Sequence, residues 1–286
     1  MSRASIVAML IAVEVVIVGI ALYAVRGAAA MHHADFAPKT FALLNVGAAP
    51  QVDIDDADSH VDVSVSSDGL VHVRDLTRVS GTFFGTPSSV AKLQVERTAG
   101  GVSVQRAASS DELHVGFDWS EHRIEVEIPD GSHVRIARCS GASVSGISGG
   151  VTVASQDGRI TLADLRGSVD ASSDDGSIRA SSIRGDNVTL QTKDGSIDVR
   201  GLEIADGARR GVLHTSDGTI RVALEPNADL TVDASTNDGH IEVDGNPVNS
   251  GDSDSAQHTI RLGNGSGSLQ LSSGDGSIHI LTNGAV

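Results

Sequence analysis

Aspartate residues recur at one fixed position of a short motif in the second half of this 286-residue chain. The motif Ser/Thr-x-Asp-Gly-x-Ile occurs six times, and its Asp-Gly pairs are Asp157, Gly158, Asp175, Gly176, Asp194, Gly195, Asp217, Gly218, Asp238, Gly239, Asp275 and Gly276. Aspartates stacked along one edge would repel one another, and Ca²⁺, with about six to eight oxygen ligands, would relieve that repulsion. Alternatively, each carboxylate accepts hydrogen bonds from its own turn, while Arg159, Arg179, Lys193 and Arg221 neutralise nearby charge. The glycine-rich calcium β-roll motif is absent, which favours the alternative.

Other reactive residue types form no recognisable catalytic constellation. Polysaccharide-cleaving chemistry needs paired carboxylates at a defined separation, but pairs such as Asp174-Asp175 and Asp252-x-Asp254 fall at predicted corners or loops. No aromatic residue follows Trp119 to form a sugar platform. The eleven histidines are dispersed apart from His32-His33, so zinc-ligand spacing is missing. We therefore predict no enzyme activity, no catalytic residues, no cofactor and no metal site.

The residues that flank the corners alternate between apolar and polar types, which is typical of half-buried strands. Steps between successive corners are 18, 19, 23, 21 and 37 residues, a period that indicates a repeat architecture. The stretch from Ser255 to Ile260 keeps the motif spacing and divides the longest step. The stretch from Cys139 to Val144 keeps it before the first corner. We therefore count eight corners, two of them degenerate.

These features predict an all-β protein, a β-solenoid of about eight coils. A third apolar position after the second strand, as in Leu202 and Ile204, indicates three short arcs in each coil. An array of β-hairpins is the alternative, because Asp-Gly is also a hairpin turn. Glycine is expected to permit the corner bend, and the Ser/Thr position to form an inward ladder of small hydroxyls. Cys139 occupies that position, which favours a small buried residue over a reactive thiol.

An apolar run occupies residues 6–25 and is interrupted only by Glu14. About 20 residues suffice to span a bilayer, so we predict a transmembrane helix within a signal-anchor segment, residues 1–30. The alternative is a signal peptide that is cleaved near Ala30. Either interpretation exports the rest of the chain. The net charge of −16 argues against nucleic acid as a partner.

The exported part is predicted to have three sections. Residues 31–40 form a linker, residues 41–136 an irregular β segment that caps the solenoid, and residues 137–286 the repeat solenoid. Most exported aromatic residues lie between residues 78 and 120. Little sequence follows Ile280, so we expect the tail Leu281–Val286 or another molecule to cover the last coil.

The chain resembles a bacterial family of "putative adhesin" β-strand-repeat domains of unknown function. The matching features are the strand Arg123–Ile128, then Pro129 and Gly131, then Val134, then Gly141, and the tandem corner units. The resemblance implies an envelope-associated β-solenoid and transfers no site residues.

The combined pattern favours a membrane-anchored, adhesin-like or scaffold binding protein of the cell envelope, without enzyme activity. Its expected partners are the membrane, through the N-terminal helix, and envelope proteins or glycans. One alternative is an exported sensory component of an envelope-stress or signalling system that contacts a partner helix at Glu14. A second alternative is a polysaccharide-acting β-helix enzyme.

Overall fold

A computed structural model describes residues 39–43, 46–84, 92–106, 115–204, 210–248 and 255–282. These residues form 24 β-strands joined by turns. Within them, no helix has the length and hydrophobicity needed to cross a bilayer. The predicted membrane segment and most of the predicted linker lie outside the described residues.

The strands are short, since each covers one side of a coil. The first eight are β1 (Lys39–Leu43), β2 (Gln51–Asp55), β3 (Ser59–Val65), β4 (Val71–Asp75), β5 (Arg78–Phe84), β6 (Leu93–Arg97), β7 (Gly101–Arg106) and β8 (Val115–Ile128). The next ten are β9 (His133–Arg138), β10 (Gly141–Ser145), β11 (Val151–Ser155), β12 (Ile160–Arg166), β13 (Val169–Ser173), β14 (Ile178–Gly185), β15 (Asn187–Thr192), β16 (Ile197–Ile204), β17 (Arg210–Thr215) and β18 (Ile220–Leu224). The last six are β19 (Leu230–Thr236), β20 (Ile241–Val243), β21 (Asn246–Pro247), β22 (Ala256–Leu262), β23 (Gly267–Ser273) and β24 (Ile278–Leu281).

The chain divides into two compact units. The smaller comprises residues 1–37, 77–91 and 108–121, and its described part is an antiparallel pair between β5 and the first half of β8. The aromatic side chains between residues 78 and 120 lie outside the described side chains. The larger unit comprises residues 38–76, 92–107 and 122–286 and contains the solenoid.

Two sheets form the sides of the solenoid. Sheet I has the strand order β1-β4-β8-β3-β10-β12-β14-β16-β18-β24-β20-β21. Sheet II has the order β6-β7-β2-β9-β11-β13-β15-β17-β23-β19-β22. Neighbouring strands are parallel in the interior of both sheets and antiparallel only towards the outer edges. Each coil therefore gives one strand to each sheet, which confirms the β-solenoid prediction over the hairpin array.

Coils at both ends are stacked out of chain order. The strands β23 and β24 lie between the β17–β18 coil and the β19–β20 coil. At the other end, β2 and β3 lie between the β7–β8 coil and the β9–β10 coil. We call these two insertions the interleaved coils. The described strands make nine coils in all, against the predicted eight, and two of the nine, β2–β3 and β7–β8, lie in residues 41–136, which were predicted to be an irregular cap.

Two expectations for the C-terminal end were wrong. Residues Ser255–Ile260 do not form a degenerate corner, because β22 runs antiparallel to β19 along the edge of sheet II. The last coil in the sequence is also not the last in space, because β24 is covered by β20. The terminal coil is β19–β20, flanked by β22 in one sheet and β21 in the other. These antiparallel strands, and not a further parallel coil, form the edges of the two sheets at this end.

Aliphatic ladders fill the space between the sheets. The isoleucine that follows each corner stacks on its equivalent in the next coil, and all members are fully buried: Ile160, Ile178, Ile197, Ile220, Ile278 and Ile241. Each such side chain contributes roughly 1.5–3 kcal/mol when fully buried. No coil has enough of them to offset its own loss of conformational entropy, so stability comes from stacking.

The second arc of the central coils bends through a left-handed backbone residue. Equivalent positions in successive coils are Asp164 (φ 53°), Ser182 (φ 54°) and Gly201 (φ 65°). The bend turns the following side chains inward, and Leu165, Ile183 and Leu202 are buried. The predicted third apolar position is therefore confirmed, although its strand continues sheet I.

Candidate functional site

A ladder of buried hydroxyls runs along the inside of the corners. Thr192 Oγ1 donates to the carbonyl of Gly176 at 3.0 Å, and Thr215 Oγ1 donates to that of Gly195 at 2.9 Å. In the interleaved coil, Ser273 Oγ donates to the carbonyl of Gly218 at 2.9 Å. The bonds join one coil to the next, which confirms the predicted inward ladder and assigns it a structural role.

Corner glycines are needed for space rather than for a left-handed backbone. Among the described residues, positive φ is recorded for nine glycines, and none belongs to the six motif corners. A Cβ on Gly195 would lie 2.1 Å from the carbonyl oxygen of Gly176. A Cβ on Gly218 would lie 2.0 Å from the carbonyl oxygen of Gly195. The expectation that glycine permits the bend is therefore corrected: glycine permits the close approach of two coils.

Corner aspartates are exposed and point away from the ladder. Five of the six have a backbone N–H that bonds to the neighbouring coil, as from Asp194 to the carbonyl of Asp174 at 3.0 Å. Lys193 Nζ lies 2.5 Å from an oxygen of Asp174, which is not a motif aspartate. Within the part of the chain that the structure describes, no three corner carboxylates approach within 4.8 Å. The predicted Asx-type acceptor bonds are also not found there, so these residues mark solvated turns.

Cys139 lies inside the first corner of the repeat region. Its thiol is buried and lies 3.4 Å from the carbonyl oxygen of Ala154, to which it donates. Burial raises the pKa of the Cys139 thiol, so the thiolate that would react is disfavoured. The interpretation of Cys139 as a small buried residue is confirmed.

The outer face of sheet II presents a row of uncharged polar side chains. Neighbouring strands contribute one residue each, in the order Ser172, Gln191, His214, Ser272, Ser235 and Gln257. All are half-exposed or exposed. His214 Nδ1 lies 2.7 Å from Ser272 Oγ, within hydrogen-bonding distance. We call this set the polar row.

Charged side chains dominate the corresponding outer face of sheet I. One row runs through Arg179, Asp198, Arg221, His279 and Glu242, and neighbouring members are directly opposite each other. Further along the sheet, Arg123 Nε donates to Asp62 Oδ2 at 2.6 Å. Burial favours a raised pKa for Asp62, but hydrogen bonds from His60 and Arg123 outweigh it and lower the pKa. Other ion pairs on this face join Asp198 to Arg200 and Glu242 to His279.

A buried ion cluster lies at the N-terminal interleaved coil. Arg106 Nε donates to Asp56 Oδ2 at 2.7 Å, and its terminal nitrogens donate to Asp75 at 3.1 and 3.2 Å. Ser59 Oγ donates to the same oxygen, Asp56 Oδ2, at 2.6 Å. Burial and the charge of Arg106 together lower the pKa of His122. The cluster joins β7, β4 and the turn between β2 and β3, which are distant in sequence.

A surface hollow of about 460 Å³ lies beside the third arc of the central coils. Its lining includes the carboxylates of Glu203, Glu225 and Asp229. Arg184 Nε donates to Glu203 at 2.6 Å, and Asp229 accepts from the backbone N–H of Gly265 at 2.7 Å. Two of the three carboxylates are thus engaged in structural contacts.

Two histidines and a glutamate meet on the outer face of sheet I at the C-terminal end. His279 Nδ1 lies 2.7 Å from Glu242 Oε2, and His240 Nε2 lies 3.3 Å from Glu242 Oε1. The two imidazole rings are edge to face, with centroids 5.7 Å apart. The prediction that these histidines stay dispersed is wrong in three dimensions. Interleaving places β24 beside β20, which the linear spacing of His240 and His279 does not reveal.

The comparisons with known proteins concern nearly the whole of the described solenoid. A family model described as Toastrack DUF4097 matches residues 51–282. No curated protein matches the chain significantly.

Two solved structures are similar to the chain. A "putative cell adhesion protein" from Clostridium sporogenes ATCC 15579 is 10% identical, with 86% of this chain and 99% of that chain covered and a TM-score of 0.35. A "putative adhesin" from Bacteroides fragilis NCTC 9343 is 13% identical, with 85% and 97% covered and a TM-score of 0.42.

Proposed function

The chain belongs to the Toastrack DUF4097 family, and from that premise we propose that it is a non-enzymatic binding module of the cell envelope. In this proposal the solenoid is a rigid scaffold that presents a ligand-binding face, in the manner of an adhesin. Membership of the family establishes the type of fold, and the proposed role comes from the surface of the solenoid.

The polar row of sheet II is the observation that carries the proposal. Serine hydroxyls and glutamine amides repeat at the spacing of the coils, about 4.8 Å, across six neighbouring strands. Such side chains can both donate and accept hydrogen bonds. In contrast, some charged groups on the outer face of sheet I are already paired, such as Asp198 with Arg200 and Glu242 with His279. Apart from the His214–Ser272 contact, the polar row keeps its hydrogen-bonding groups available, so it is the better ligand surface.

The chemistry of the polar row fits an extended, uncharged polymer rich in hydroxyl and amide groups. An envelope glycan with N-acetyl groups has this composition, and it would lie along successive coils. A strongly anionic polymer fits less well, because the chain carries a net charge of −16. Nucleic acid is excluded from the proposal on the same grounds.

The proposed location follows from the N-terminal sequence. The apolar run at residues 6–25 would hold the protein in the membrane with the solenoid outside the cytoplasm. Cleavage near Ala30 would instead release it as a secreted protein. In both cases the polar row lies outside the cytoplasm.

A cosedimentation experiment tests the ligand face. Full-length protein in mild detergent is mixed with insoluble cell-wall glycan, and the bound fraction is measured. We expect the triple variant Ser172→Ala, Gln191→Ala, Ser272→Ala to lose most of the binding. A matched variant of sheet I, Ser143→Ala, Thr161→Ala, Ser181→Ala, should bind like the wild type.

Three results would contradict the proposal. Equal binding by the two triple variants would remove sheet II as the ligand face. Binding to envelope proteins alone, in a parallel capture, would remove the glycan. Release of soluble sugars from the pellet would favour the polysaccharide-acting enzyme instead.

A further inference from the structure

We propose that His240, Glu242 and His279 form a binding site for a divalent transition-metal ion of the zinc class. The three side chains belong to the charged face of sheet I, away from the polar row of sheet II. The proposal is independent of glycan binding, since it concerns a different surface and a different chemical class of ligand.

The ligand atoms already stand close to the separations that a metal requires. One nitrogen or oxygen from each residue lies within 4.8 Å of the others. Ligands bound at about 2.0–2.2 Å in tetrahedral geometry lie about 3.4 Å apart. The Glu242 Oε1 to His240 Nε2 distance is 3.3 Å, and the Glu242 Oε2 to His279 Nδ1 distance is 2.7 Å. Small side-chain rotations would therefore complete the site.

The backbone beneath the cluster is fixed by the sheet. Glu242 and His279 are directly opposed in the parallel pair β20–β24. The N–H of Ile278 donates to the carbonyl of His240 at 3.0 Å, which ties the third residue to the same pair. The three side chains therefore project from a rigid surface, as a preorganised metal site requires.

An outer contact orients one of the proposed ligands. Ser277 Oγ lies 2.9 Å from Nδ1 of His240. A partner on one ring nitrogen sets the tautomer and leaves the other nitrogen available for a metal, which is the usual arrangement around histidine ligands. In His240 the available nitrogen is Nε2, the atom that faces Glu242.

Charges around the cluster act in both directions. Arg221 lies opposite His279 on the side away from Glu242 and opposes a cation, but it is exposed, so water screens its charge. Asp238 precedes His240 by two residues in the terminal corner and favours a cation. Side-chain exposures of 51% for His240, 32% for Glu242 and 30% for His279 leave room for the ion to enter.

The donor set selects the class of metal. Two imidazoles and one carboxylate suit Zn²⁺, Co²⁺, Ni²⁺ and Cu²⁺, whereas Ca²⁺ and Mg²⁺ prefer oxygen alone. Three protein ligands leave at least one position for water or for a donor from a partner molecule. A bound ion would also connect the terminal coil to the interleaved coil, since β20 and β24 belong to different coils.

Titration of the full-length chain, without a histidine tag, tests the site. Zn²⁺ is added in a calorimeter, and Co²⁺ is added in a spectrophotometer to report the coordination. We expect one zinc ion per chain at the cluster, a rise in melting temperature with zinc, and weaker binding on acidification, because protons compete for imidazole. Glu242→Gln and His279→Gln should each weaken the binding by about tenfold or more.

His214→Gln provides the matched control, because His214 also contacts a serine on an outer sheet face but has no carboxylate beside it in the polar row. It should bind zinc like the wild type. Circular dichroism of each variant confirms that the fold is retained, and Glu242→Asp supplies a second variant that keeps the charge. No zinc binding, or zinc binding that Glu242→Gln and His279→Gln leave unchanged, would overturn the proposal. The latter result would indicate another site, such as His32-His33.

Discussion

The central coils, from β9 to β18, and the coils at the two ends use the same strand and corner but differ in order. Central coils follow one another along the chain, and their ion pairs are exposed. End coils are interleaved, so each brings together segments that are distant in sequence. Arg106 and Asp56 are 6% and 2% exposed at the N-terminal end, whereas Lys193 and Asp174 are 68% and 50% exposed at a central corner. The buried ion cluster and the cluster of His240, Glu242 and His279 thus both lie where the chain order is broken.

Removing the buried cation tests the end region most severely. Arg106→Met removes the guanidinium that Asp56 and Asp75 share, and loss of one member of a buried pair costs about 3–5 kcal/mol. The free energy of unfolding, from urea denaturation followed by circular dichroism, should fall by that amount. Lys193→Met is the control from a central corner, where no measurable change is expected because both groups are exposed. Equal losses in the two variants would remove the distinction between end and centre.

Filling the gap at a corner glycine tests the central region. Gly195→Ala places a Cβ 2.1 Å from the carbonyl oxygen of Gly176, so the two coils must separate. We expect a loss of about 1–3 kcal/mol, as for other overpacked sites. Gly100→Ala is the control, because its Cβ would meet no atom within 4 Å. If Gly195→Ala is as stable as the wild type, the two coils can move apart at that corner without loss of stability, contrary to the prediction.

Deleting one rung of the hydroxyl ladder should have a smaller effect. Thr215→Val keeps the shape of a fully buried side chain but loses the hydrogen bond to Gly195 and leaves that carbonyl short of one donor. The expected loss is about 1 kcal/mol. Thr152→Val on the exposed face of sheet II serves as the control. Comparable stability of Thr215→Val and wild type would mean that the ladder does not join the coils.

The smallest effect is expected from acidification at the N-terminal end. Burial and Arg106 lower the pKa of His122 in the folded state, although Asp56, Asp58 and Asp75 act in the opposite direction. A lowered folded pKa means that protonation favours unfolding. The stability that depends on a neutral His122 is therefore fully present above about pH 6.5, the ordinary histidine pKa. It is lost as the pH falls through the lower pKa of the folded state.

Melting temperatures of wild type and His122→Gln between pH 7.5 and 5 check this prediction. The melting temperature of His122→Gln should fall less on acidification than that of the wild type. The carboxylates are the same in both proteins and affect both curves equally. Parallel curves would show that His122 does not contribute.

The sequence predicted the central coils well because every step there is local. Alternating apolar residues and the Ser/Thr-x-Asp-Gly-x-Ile corners indicate where each strand starts and which side chains lie inside. The inward position of Cys139 followed from the same frame. The role of the corner glycine was misjudged, because a close approach between coils is a tertiary contact that no single repeat displays.

The ends could not be predicted from the repeat. The corners at Thr236 and Ser273 share one motif, so the motif does not specify which of them stacks on the Thr215 corner. The answer depends on the longer connection between β20 and β23, which supplies two antiparallel end strands before the chain returns. His240 and His279 become neighbours only through that return, as do Arg106 and Asp56 at the opposite end.

The interleaved coil at the C-terminal end also constrains how the protein can be made. During synthesis, β19 and β20 emerge before the strands that must separate them from β17 and β18. The two coils cannot settle in their final places until Leu281 has left the ribosome. A nascent chain paused earlier can add coils up to β18, and the end of the stack then closes in one late, long-range step.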